Sequence, residues 1–99
     1  MRVVLAPSKP AADIYMHRRS PFSESPRYVF ADSAADLVGA CPDEIHVVAG
    51  ANAHPRAAEI AEALLVCEAK MPLRAMWWLN GRLVPKGVAL VHLGVKESR

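Results

Sequence analysis

The chain has 99 residues, 53% of them hydrophobic and 22% charged, with a formal net charge of +2. That composition excludes a disordered polypeptide and argues against a dedicated nucleic-acid binder, which neutralises several phosphates at once. The length fits one α/β domain over residues 1–99, and a domain this small buries only about two-thirds of its unfolded surface, so self-association is a standing expectation. No apolar run approaches the roughly 20 residues of a membrane span, and the stretch Met1–Pro7 is too short for a signal peptide. A cytoplasmic protein with no membrane contact is expected.

Arg2-Val3-Val4-Leu5-Ala6 is a β-branched apolar run closed by Pro7, which reads as a buried strand. Pro10 suits a first helical turn and opens a helix to Arg19, with Ala11, Ile14, Tyr15 and Arg18 along one side. Two prolines and three serines in Ser20–Pro26 mark a loop. Arg27–Ala31 is a second strand. Ser33 followed by Asp36 is a capping box with Asp in place of Glu, so a short helix is predicted over Ala34–Ala40.

Glu44–Ala49 is the third strand and ends at Gly50. Pro55 then opens the strongest helix signal, Pro55 to Lys70, with Ile60, Leu64, Cys67 and Met71 in one apolar row widened by Ala57, Ala61 and Leu65. Leu73–Leu79 is a strand, Asn80-Gly81 is a favoured two-residue hairpin turn, and Arg82–Val84 returns antiparallel. The apolar run Val88–Leu93 reads as a last strand. Three strand-then-helix units followed by three short strands predict a small Rossmann-like domain of two or three layers. Its core is a parallel sheet, finished by a C-terminal antiparallel meander.

Ligands of open parallel sheets bind beyond the carboxyl ends of the strands. Lys9, Asp32, Asn52 and His54 occupy those turns and are the candidate ligand-binding residues, suited to a small phosphorylated molecule or nucleotide. The first strand-to-helix turn, Ala6-Pro7-Ser8-Lys9-Pro10, holds no glycine, which argues against a standard nucleotide cofactor. Asp32 and His54 also have plain structural readings, as a helix cap and a turn residue. His46 reads as cross-sheet packing. Cys41 and Cys67, 26 positions apart, lack a metal-ligand pattern, and neither a metal nor a catalytic residue is assigned.

Charge is uneven: residues 1–50 carry a balance of −1 and residues 51–99 of +3. Neighbouring strand residues face opposite ways, so Trp77 and Trp78 cannot share one core layer. With Arg74 and Arg82 they form a candidate interaction surface, since tryptophan and arginine are favoured at interface centres.

The stretch from Ala12 to Leu64, in particular Arg27–Asp32, Ala35–Gly39 and Glu44–Gly50, resembles small α/β accessory proteins of actinobacterial phages. It covers about half the chain and departs from them at Asn52-Ala53-His54-Pro55, where some carry a Trp-Glu-Arg-Pro-like turn. The resemblance implies a non-enzymatic protein in a bacterial host cytoplasm that binds itself or a host protein. The expected function is therefore a self-associating interaction module without cofactor, the alternative being a small-ligand binder at the strand ends.

Overall fold

The structure, a computed structural model, describes residues 2–19, 28–38, 42–68 and 76–94. Strand β1 (Arg2–Leu5) leads into α1 (Lys9–Arg19), then β2 (Tyr28–Phe30) and a 3-10 turn (Ala34–Leu37). Next come β3 (Glu44–Val47), a second 3-10 turn (Ala51–Ala53) and α2 (Ala57–Glu68), and finally β4 (Met76–Leu79), β5 (Arg82–Val84) and α3 (Lys86–His92). The strands form one five-stranded mixed sheet in the order β2-β1-β3-β4-β5. Four strands are parallel, and β5 alone runs against its neighbour β4.

Strand β1 lies between two parallel partners, and its Val3, Val4 and Leu5 are all buried, as a strand covered on both faces requires. Alternation sends Val3, Leu5, Ile45, Val47 and Trp77 into the larger core. There Leu37, Ile60, Leu64 and Cys67 meet them with Ala89, Leu90 and Leu93. The opposite face carries Val4, joined by Ala12, Tyr15, Met16, Tyr28 and Phe30 under α1. The sheet is thus sandwiched between α1 on one side and α2 with α3 on the other.

The final strand of the sequence reading is corrected. Val88–Leu93 belongs to α3 and its C-terminal end, so the expected meander is a single hairpin followed by a helix. A continuous apolar run of six fits either state by itself. Burial of Ala89, Leu90 and Leu93 with Val88 and Val91 exposed follows the helical period, and α3 packs over β4. Pro85 stands at its N-cap, with φ −63° and ψ 149°. The strand before the hairpin, β4, also runs parallel to β3. Its expected beginning, Leu73–Ala75, lies outside the described residues.

Local boundaries shift for identifiable reasons. The helix expected over Ala34–Ala40 is a 3-10 turn that stops at Leu37, while residues 39–41, Cys41 included, lie outside the described residues. Helix α2 begins at Ala57 rather than Pro55, because the preceding turn closes on His54: the Ala57 N–H donates to the His54 carbonyl at 3.0 Å. On α1 the buried line is Ala12 with half-buried Ala11, Tyr15 and Met16, and Ile14 is exposed. On α2, Leu65 is also at the surface, while Ile60, Leu64 and Cys67 are buried as expected.

Candidate functional site

Two polar clusters stand against the sheet. The first joins Asp32, after β2, with His54, after β3, and 22 positions separate them in sequence. The Asp36 carboxylate accepts the backbone N–H groups of Asp32 at 2.9 Å and Ser33 at 3.1 Å, which fixes the entry to the 3-10 turn and sets the Asp32 side chain. His54 Nε2 then lies 2.8 Å from Asp32 Oδ1. Its Nδ1 accepts the Arg56 backbone N–H at 2.9 Å, so the neutral ring carries its proton on Nε2 and donates it to Asp32. Arg56 closes the loop from the other side, its guanidinium donating to the Asp32 carbonyl at 3.3 Å. The Phe30 ring meets the imidazole in a T-shaped contact, centroids 6.0 Å apart.

Both nitrogens of His54 are therefore engaged by the fold. A general base needs one of them facing the proton it removes. The cluster latches the end of β2 to the start of α2, and the other two candidates for the same crevice do not complete it. Lys9 reaches Asp13 one turn along the exposed side of α1, at 3.4 Å. Asn52 is exposed, its Cβ standing 3.6 Å from the Cβ that any larger residue at Gly94 would carry, at the end of α3. Between β1 and β3 the two turns come together: a Cβ at Gly50, whose φ is +84°, would stand 3.7 Å from Pro7 Cγ.

The second cluster was missed in the sequence. His46, wholly buried on β3, places Nδ1 2.6 Å from the Tyr15 hydroxyl of α1 and Nε2 2.8 Å from Glu44 Oε1 of its own strand. Glu44 in turn pairs with Arg2 of β1 at 3.0 Å. A carboxylate only accepts, so Nε2 of the neutral ring holds the proton and the Tyr15 hydroxyl donates to Nδ1. Trp78 stacks on the imidazole with centroids 5.4 Å apart and planes at 11°, and Tyr28 meets it edge-on at 5.1 Å. The Arg2 guanidinium also lies over the Tyr28 ring.

Burial would raise the Glu44 pKa, but hydrogen bonds from His46 and Arg2, with their charges, outweigh it and hold the carboxyl below its ordinary value. The signal available in sequence was the i, i+2 spacing of Glu44 and His46. It puts two ionisable groups on one face of a strand otherwise built of buried apolar residues.

The tryptophans divide as strand alternation requires. Trp77 is buried in the larger core, while Trp78 is half-buried on the α1 side. Arg82 is exposed on β5, and Arg74 lies outside the described residues. Helix α1 packs on β1 and β2. On β4 and β5 the same face of the sheet presents Met76 at 43% and Leu83 at 60% exposure, with Trp78 between them in register. The described residues hold no group of three or more His, Cys, Asp or Glu that could bind a metal ion, and no helix among them is long and apolar enough to cross a membrane. No protein-family model, curated protein or solved structure matches the chain.

Proposed function

We propose that the protein is a non-enzymatic interaction module, a small Rossmann-like domain that associates with a second copy of itself through the β4–β5 hairpin. The single observation that carries this reading is the outer edge of β5. The backbone N–H groups of Met76 and Asn80 donate to Asp43 and Val47, so even-numbered residues of β4 face β3 and odd-numbered ones face β5. Trp77 and Leu79 pair with Val84 and Arg82. Leu83, between them, therefore points its own N–H and C=O outward, away from the sheet.

An outward-facing strand edge is a template for another strand. Two β5 strands related by a two-fold axis at Leu83 would exchange both of its backbone hydrogen bonds and continue the sheet across the dimer. The same contact would set the exposed Leu83 side chains of the two copies side by side. The engagement of both His54 nitrogens supports a binding role over catalysis at the strand ends. The phage resemblance supports the same class of reading, with a host cytoplasmic component competing for this edge.

Sedimentation over a range of concentrations tests the reading. A monomer–dimer equilibrium is expected, and Leu83→Lys should abolish it, because a lysine on an edge strand opposes strand pairing. A strict monomer at every concentration contradicts self-association.

A further inference from the structure

Between α1 and the turns that follow β3 and β4, Ala11, Ile14, Tyr15, Arg18, Val48 and Asn80 line a cavity of about 390 Å³. That volume is at the lower end of what small-molecule sites offer. Ala11, Ile14 and Val48 supply an apolar wall. The polar groups are of one kind: Arg18 brings a guanidinium, and Asn80 gives its carbonyl oxygen to the Ala49 N–H at 2.6 Å, which fixes the amide and leaves its NH₂ as donor. No carboxylate is among the described residues that line it. Such a lining complements an anion attached to an apolar body.

Tyr15 couples the cavity to the buried cluster behind it. With His46 neutral, the phenolic proton is committed to Nδ1 at 2.6 Å. If the imidazole gains a proton, Nδ1 becomes a donor to the phenol oxygen, and the Tyr15 O–H is released toward an acceptor in the cavity. Among the described residues, those facing His46 include Tyr15 of α1, Tyr28 of β2, Glu44 of its own strand with Arg2 behind it, and Trp78 of β4. Burial opposes the imidazolium, while an anionic carboxylate at Nε2 and a stacked indole face favour it.

We propose that this cavity binds a small carboxylate with an apolar body and that binding is coupled to proton uptake by His46. The site is independent of the β5 edge, and neither proposal requires the other.

Titration of the full chain with phenylacetate, followed by the ring resonances of His46 and Tyr15, tests it. Benzyl alcohol and inorganic phosphate serve as the neutral and the purely anionic comparison. The expected result is saturable binding of phenylacetate at millimolar concentrations or below, stronger than either comparison probe. Affinity should fall as pH rises, measured over a range in which phenylacetate itself stays ionised. Arg18→Gln, on the exposed side of α1, should weaken binding about fivefold, the size of a partly exposed ion pair. Tyr15→Phe should leave residual binding that no longer depends on pH, and an amide spectrum of the variant checks its fold. No saturable shift, equal binding of benzyl alcohol or phosphate, a pH-independent affinity, or an unchanged Arg18→Gln variant would each overturn the proposal.

Discussion

His54 and Asp32 are joined by a 2.8 Å hydrogen bond at which a turn after β3 closes over the end of β2. The imidazole is buried while the carboxylate is 59% exposed, so the two partners contribute unequally to the fold. His54→Ala removes the acceptor of the Arg56 N–H as well as the Asp32 bond. Loss of about 1–3 kcal/mol of unfolding free energy is expected in urea denaturation. Asp32→Asn keeps an acceptor at the exposed end and should cost less than about 1 kcal/mol. Equal losses from both variants would contradict the latch.

The Glu44 carboxyl sits lower on the pH scale in the folded protein than in the unfolded chain, because the hydrogen bonds from His46 and Arg2 outweigh its burial. A depressed carboxylate stabilises the fold fully above the ordinary glutamate range, and that contribution disappears as pH falls through the lower, folded value. Unfolding free energy measured from about pH 6 downward should therefore decline through this window. Glu44→Gln should be less stable than the natural chain at neutral pH and should lack this part of the decline. Parallel pH profiles for the two proteins would show that the pairing contributes nothing.

The adjacent tryptophans differ in surroundings and should differ in behaviour. Trp77 lies in the core beneath α3, so Trp77→Ala is expected to cost about 3–5 kcal/mol, a large share of what a small domain possesses. Trp78 is half-buried over His46, and Trp78→Ala should cost less. Acrylamide quenching should resolve one protected and one accessible indole. Uniform quenching would place both in the same environment.

Asn80 and Gly81 both have positive φ, +50° and +86°, the pattern of a type I′ hairpin turn. Asn tolerates the left-handed region and is held there by its bond to the Ala49 N–H. Gly81→Ala puts a Cβ into a conformation that L residues adopt at a cost of about 1 kcal/mol, visible as a lower denaturation midpoint. A neutral or stabilising effect would mean that the turn takes another form.

The parallel strands were legible because β1 and β3 are short apolar runs, each followed by proline or glycine punctuation and a helical stretch. The hairpin was legible because Asn-Gly has few other uses. Val88–Leu93 was not, since a run without alternation carries no period of its own; α3 is settled by the apolar Trp77 face of the sheet, which it covers. Topology alone puts Asp32 and His54 at the carboxyl ends of their strands, yet their mutual distance depends on how the 3-10 turns fold. The His46 cluster escaped notice because its members come from α1, β1, β2, β3 and β4. Only the register β2-β1-β3-β4 assembles them, and the i, i+2 spacing of Glu44 and His46 announces just one of their contacts.

The most direct measurement of the self-association account is amide hydrogen exchange at Leu83 as a function of protein concentration. The outward N–H of an edge strand exchanges freely in a monomer and is protected when a second strand accepts it. Protection at Leu83 should rise with concentration in the natural chain, while the inward-facing amides of Arg82 and Val84 stay protected throughout. Rapid exchange at Leu83 at every concentration would contradict pairing through this edge.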